Sequence, residues 1–360
     1  MAKLVIVSLG TLSGALLESA ARRARFDEIV VASSDFEKAK AKANNARIGA
    51  ALEGKYPSIT PALFDMYAPD AAARLRDFGA DVLFAAPSMM PWWRLRELGQ
   101  GQRAWLTAAP FATFMACHLA PMLHLRDVVT AAGITVPWIG ASSPDVVNAV
   151  LHRTGAAPVC GTGNVAEVVP KIALALGHKL NACPSAFDIE LVAQHAFEYH
   201  CFGTGSNQPP PYMLRVLRGH EDLTELAHAE LFTPYPFPYQ LDFNLVTVSA
   251  TNTVLEALMQ DRPVPTHVPA PSGRVGGYPV LVSRHGVALN LPSHWTEQQA
   301  ISINQGSLSF DGIEDIGPDG TVRFTPQCAA AIEQLIGAKT LYLRPDNAHS
   351  LAHALVAALA

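Results

Sequence analysis

The 360-residue chain reads as an α/β protein: a doubly wound parallel sheet followed by an α+β domain. Three observations predict this. Short β-branched runs alternate with helical-period segments through the first part of the chain, which implies parallel strands joined by crossover helices. A glycine-containing turn joins the first strand to the first helix, and beyond Gly203 the composition shifts towards proline and aromatic residues.

Lys3 to Ser8 (KLVIVS) is apolar and β-branched and is bounded by Gly10, and Gly14 to Arg23 then repeats apolar residues at helical spacing. Glu28–Ser33 (EIVVAS) is a strand and Phe36–Leu52 a polar helix; Ile59–Phe64 is a strand with Asp70–Phe78 as its helix. Asp81–Ala86 (DVLFAA) continues the sheet. A helix at Trp92–Leu98, a second apolar run at Ala104–Ala108, a long helix from Phe111 towards Ala132 and a strand at Val136–Ala141 follow. The layering goes on without a linker through a helix at Pro144–His152, a strand at Ala157–Gly161 and a helix from Val165 to Gly177, so any boundary here is a hinge. Ser206–Tyr212 and Phe232–Tyr239 read as loops. Phe243–Met259 is then a helix, Pro263–Val268 and Tyr278–Ser283 strands, and Thr296–Gln305 a helix. Asp346–Leu359 is a terminal helix capped by Asp346 and expected to pack back on the first domain. No internal repeat is present.

With 49% apolar and 16% charged residues, the chain can bury at least one large core. A net charge of −5 without long like-charge runs argues against a nucleic-acid partner. Five widely spaced cysteines without a C-x-x-C argue against a disulfide framework and for a reducing, cytoplasmic setting. The N-terminus lacks a basic segment followed by a cleavable apolar stretch. The most apolar window, Ala108–Leu123, falls short of the roughly 20 residues a spanning helix needs, so no membrane partner is expected. Residues 1–110 hold 14 Lys/Arg against 11 Asp/Glu, whereas 111–360 hold 12 against 20, so a phosphate-bearing cofactor suits the first part.

Ser8-Leu9-Gly10-Thr11-Leu12-Ser13-Gly14 lies between strand one and helix one. Gly10 lets backbone approach a pyrophosphate, Ser13 and Gly14 permit close strand–helix packing, and the helix start supplies free N–H groups. Ser8 stands where the first glycine of a G-x-G-x-x-G turn belongs, and the same residues also make an ordinary turn. Strand two ends at Ser33-Ser34, followed by Asp35, with Lys38 and Lys40 on the next helix; these residues favour NADP, with NAD as the alternative, unless Asp35 merely caps the helix. Ala85-Ala86-Pro87-Ser88 and Ser142-Ser143-Pro144-Asp145 are small-residue loops against which a nicotinamide and its ribose can lie; each equally makes a tight strand exit.

Gly161-Thr162-Gly163-Asn164-Val165-Ala166-Glu167, taken with Gln194-His195-Ala196, is the sharpest constellation. From Ser143-Pro144-Asp145 onward the succession resembles the lactate/malate dehydrogenase superfamily, whose relatives include the NAD-dependent family-four glycosidases. VVASSDFEKAKA and GADVLFAAP in the N-terminal half are similar to saccharopine-dehydrogenase-like proteins. The resemblance implies a dinucleotide-binding Rossmann domain over 1–163 and a substrate-binding or dimerisation α+β domain over 164–360. It also implies a homo-oligomer, with Glu167 and His195, 28 apart, as carboxylate and catalytic histidine. A histidine near neutral pKa can protonate the developing oxyanion or amine, and a carboxylate behind it fixes its tautomer. Without the resemblance, the plainer reading is a strand-end histidine and a solvated glutamate.

Some positions depart from the superfamily pattern. Its carboxylate is Asp where this chain has Glu167, its substrate-binding arginine falls on Pro170, and the Asn of its Asn-Pro is Ser143. An extra helix–strand unit lies between Ala86 and Ser143. Arg94, Arg96 or Arg274 could hold an acidic substrate through a guanidinium fork, although solvated or ion-paired arginine is the ordinary state. Cys160, His195, His200 and Cys201 offer soft and imidazole metal ligands, but buried cysteine is commonly just apolar, and no metal is expected. The leading expectation is an NAD(P)-dependent oxidoreductase of a small polar C=O/C–OH or C=N/C–NH substrate, with Asn164, His195 and Arg274 at that substrate. Cofactor-assisted, metal-dependent glycoside cleavage and a non-catalytic dinucleotide sensor are the alternatives.

Overall fold

The computed structural model describes residues 2–91, 94, 105–106, 108–202, 208–233, 235 and 241–359. β1 (Lys3–Val7), β2 (Glu28–Ser33), β3 (Ser58–Leu63), β4 (Val82–Ala85) and β5 (Trp138–Gly140) form one parallel sheet in the order β3-β2-β1-β4-β5. The order reverses beside β1, and Val7 pairs with Ala32 and Ala85, so the ends of β1, β2 and β4 open together at the switch point. Helices α1 (Thr11–Arg23) and α2 (Phe36–Leu52) cover one face. The other is covered by α4 (Met115–Ala131) and α5 (Pro144–Arg153), which follow the short α3 (Ala71–Asp77). Both faces being buried explains why β1 and β4 are continuous apolar runs rather than alternating ones. This is the Rossmann sheet that the βαβ cadence predicts.

The second part is α+β. Helix α6 (Val165–Leu180) leads to an antiparallel sheet of β6 (Asp188–Val192), β7 (Met213–Arg218) and β8 (Glu221–Asp222). Helices α7 (His195–Phe202) and α8 (Thr224–Leu231) share this sheet's core, whereas α9 (Asn244–Ala257) packs on α1. β9 (Val264–Pro269), β10 (Gly277–Ser283) and β11 (Gly286–Leu289) form a second antiparallel sheet. After α10 (Glu297–Ser307), whose Thr296 and Gln299 complete a capping box, come β12 (Ile313–Ile316), β13 (Val322–Phe324), α11 (Pro326–Ile336), β14 (Tyr342–Leu343) and α12 (Ala348–Leu359). α12 packs along α4 of the first part, with Leu351, Ala352 and Leu355 buried in the same core as Met115, Leu119 and Met122.

Three expected elements differ. Ala157–Gly161 makes a single bridge, Cys160 to Ile139, because the chain leaves β5's edge at once for Pro269, whose carbonyl accepts the Gly161 N–H. Trp105–Leu106, within the second apolar run, is a helical turn rather than a strand. The terminal helix begins at Ala348 with the Asn347 carbonyl accepting from Leu351, so Asp346 is not its cap. The expected helix at Trp92–Leu98 lies outside the described residues except for Arg94, as do parts of the two proline-rich loops.

Candidate active site

The strand ends and the second part enclose a cleft of about 1130 Å³. Gly10, Thr11, Leu12 and Ser13 line its outer side at the start of α1. Gly10 is the N-cap with no side-chain cap, and the first turn of α1 contains no acid, so its leading N–H groups and positive dipole end face the cleft uncompensated. A Cβ at Gly10 would meet nothing within 4 Å, whereas Ser13 Oγ is buried without a hydrogen-bond partner. Such a helix start attracts anions. Ser8 has φ +72°, the left-handed conformation for which a glycine is usual.

At the end of β2, Ser33 Oγ accepts the Asp35 N–H at 3.2 Å and Asp35 caps α2 by accepting the Lys38 N–H at 2.9 Å. Lys38 lines the cleft. Ser34 belongs to the same turn. Ala86 lines the cleft too, and the Pro87 carbonyl accepts the Ser142 hydroxyl at 2.6 Å, which ties the two strand-end loops together. Ser143 (φ +48°) and Asn164 (φ +52°) sit at the cleft in left-handed backbone. Gly161 allows this approach, since a Cβ there would lie 2.2 Å from Pro144 Cβ.

His195 opens α7 at the cleft's inner end. Its backbone N–H donates to Asp145 Oδ1 at 3.1 Å, and Asp145's other oxygen accepts from Asn164 Nδ2. Both oxygens of Asp311 lie 3.1 Å from His195 Nδ1, and Phe111 packs on the ring with centroids 4.2 Å apart. Burial lowers the imidazole pKa, but the Asp311 charge and hydrogen bond, helped by Glu198 and Asp145, outweigh it and push the pKa up to about 9. Burial raises Asp145 to about 7, against the opposing effect of His195 and Asn164.

Glu167, expected behind the imidazole, lines the cleft, but the carboxylate on the ring is Asp311. Burial first, then the charge of neighbouring Glu198, raises Glu167 well above the ordinary carboxyl range. Arg274 is not brought to the cleft: its guanidinium pairs with Glu297 at 2.6 Å and donates to the Pro271 carbonyl. Cys160 and Cys201 are buried in the apolar core, where burial holds both thiols near 12, and they do not converge with His195 and His200 on a metal. Among the described residues no group of three or more His, Cys, Asp and Glu is arranged to hold an ion.

Asp311 carried no signal in the sequence. It lies 116 residues from His195 and outside every motif, in the helical turn Leu308–Asp311. Gly312 (φ +93°) ends that turn, and a Cβ there would sit 2.5 Å from Pro110 Cβ.

This architecture is the fold of the two-domain lactate and malate dehydrogenases. A lactate dehydrogenase, MGS-M5, from a Medee basin deep-sea metagenome library aligns over 86% of this chain and 96% of its own at TM-score 0.56 and 12% identity. The minor L-lactate dehydrogenase of Enterococcus mundtii aligns over 86% and 95% at 0.55 and 16%. The Plasmodium falciparum malate dehydrogenase in complex with NADH aligns over 98% and 100% at 0.56 and 9%. No family model matches the sequence, and no curated protein matches it.

Proposed function

We propose that the chain is an NAD(P)-dependent oxidoreductase of a small polar carbonyl or imine substrate and its alcohol or amine. The observation that carries this reading is His195, its ring held by Asp311, on the same cleft as the glycine turn that opens α1. The solved relatives named as dehydrogenases share the fold and support it.

The residues present fit a dinucleotide. Gly10, Thr11, Leu12 and Ser13 would hold the pyrophosphate, for which the partnerless Ser13 hydroxyl and the acid-free first turn of α1 are suited. Ala86, Ser143 and Asn164 would flank the nicotinamide end. The bound dinucleotide supplies or accepts the hydride. NADP is favoured over NAD by Lys38, which lines the cleft, while Asp35, as the cap of α2, takes the plainer of the two roles open to it and does not bear on the choice.

With its pKa near 9, His195 is protonated at neutral pH and donates to the oxygen or nitrogen that becomes basic as the C=O or C=N is reduced. Asp311 stabilises the imidazolium, and Phe111 keeps water off one ring face. In the reverse direction the neutral imidazole accepts the proton, which requires pH near or above 9.

Fluorescence titration with NADPH and NADH, followed by cofactor oxidation with a panel of carbonyl compounds with and without amines, tests the reading. NADPH is expected to bind more tightly than NADH, with Lys38→Gln narrowing the gap. His195→Asn should keep dinucleotide binding and lower turnover by about 10²–10⁴. Absence of binding by either dinucleotide would contradict the proposal.

A further inference from the structure

α12, which buries Leu351, Ala352 and Leu355 against the first part, contains the run His349-Ser350-Leu351-Ala352-His353. Residues four apart on a helix stand one turn above each other, so the two imidazoles share one face. That face is turned away from the core, and both histidines are exposed. Their rings do not splay into water. The centroids lie 4.3 Å apart with the planes at 65°, and His349 Nε2 is 3.0 Å from His353 Nε2.

Between two neutral imidazoles this separation is that of one N–H···N hydrogen bond. It is also the bite of two ligands on one metal ion. With metal–nitrogen bonds of about 2.0–2.1 Å, two nitrogens at this separation subtend roughly 95° at the ion, whereas a tetrahedral angle would need them about 3.4 Å apart. Adjacent positions of a square-planar or octahedral ion are at right angles, and imidazole nitrogen suits Cu2+ and Ni2+, which adopt such geometries.

We propose that His349 and His353 form a bidentate site on α12 for a divalent transition-metal ion of right-angled coordination, Cu2+ or Ni2+, completed by water. Each histidine binds as the neutral ring through Nε2 with its proton on Nδ1, so the ion takes the place of the proton that the two nitrogens share. The chelate joins the first turn of α12 to the second. Because the folded helix is what brings the rings together, the ion binds the folded protein in preference to the unfolded chain and stabilises it. Neither histidine lines the cleft, and the site is independent of the oxidoreductase reading.

Titration calorimetry of wild type, His349→Ala and His353→Ala with NiCl2 tests the site. The chain has 13 histidines, so the difference between the proteins, rather than binding alone, decides the result. Both side chains are exposed, so neither substitution opens a cavity in the core. Wild type should bind one Ni2+ about tenfold or more tightly than either variant, because losing one of two ligands abolishes the chelate. Saturating Ni2+ should raise the melting temperature of wild type by about 2 °C or more and leave both variants unchanged. With half an equivalent of CuCl2, electron paramagnetic resonance should show splitting from two imidazole nitrogens in wild type and from one in each variant. Equal Ni2+ affinity in the three proteins, or no binding by wild type up to about 1 mM, overturns the site. Tighter binding of Zn2+ than of Ni2+ overturns the right-angled geometry.

Discussion

At the scale of single residues, the chemistry rests on Asp311 lying 3.1 Å from His195 Nδ1 in a buried pocket, where a paired charge counts for far more than it would in water. Asp311→Asn keeps the shape but removes the charge. It should lower turnover by about 10²–10⁴, as loss of an orienting carboxylate behind a catalytic imidazole does in other enzymes. The pair also links stability to pH. His195 is raised from 6.5 to about 9, so its stabilisation is complete below pH 6.5 and is lost as pH rises through 9. Denaturant midpoints of wild type and Asp311→Asn should therefore differ most at pH 6 and converge by pH 10. Ser8 supplies a second residue-level prediction. Its φ of +72° is strained for a side chain, so Ser8→Gly should preserve the fold and change stability by no more than about 1 kcal/mol. A larger loss would show that the serine side chain makes a contribution its backbone does not reveal.

Among the elements, the start of α1 is where charge and helix geometry meet. Thr11 is exposed in a first turn without acids. Thr11→Asp should stabilise the helix by about 0.3–1 kcal/mol through the dipole while weakening NADPH binding, because the added carboxylate stands where the pyrophosphate would lie. Thermal denaturation and fluorescence titration of the one variant should therefore move in opposite directions. Elements of this kind were legible in the sequence. β2 at Glu28–Ser33 and α2 at Phe36–Leu52 fall where strand run and helical period place them, because each is bounded by turn residues and buried on a single consistent pattern. The strand expected at Ala157–Gly161 reduces to one bridge because a neighbouring backbone, at Pro269, takes the Gly161 N–H, and local pattern contains nothing of that competition.

Across the whole molecule, the site is assembled from chain segments that no local pattern joins: Gly10–Ser13, Ser143–His195 and Phe310–Asp311. The Gly-x-Gly and His195 motifs pointed to the cleft, whereas Asp311 depends on the C-terminal segment packing against the first part. α12 seals that arrangement by covering α4. Leu355 is fully buried there, and Leu355→Ala should cost about 2–5 kcal/mol, read as a lower denaturant midpoint. The pH profile of NADPH-dependent carbonyl reduction tests the account most directly. The rate should hold level through neutrality and fall as pH rises through about 9, and in Asp311→Asn the fall should shift to lower pH. A profile that is flat across pH 9, or that is the same in both proteins, would contradict His195 as the proton donor.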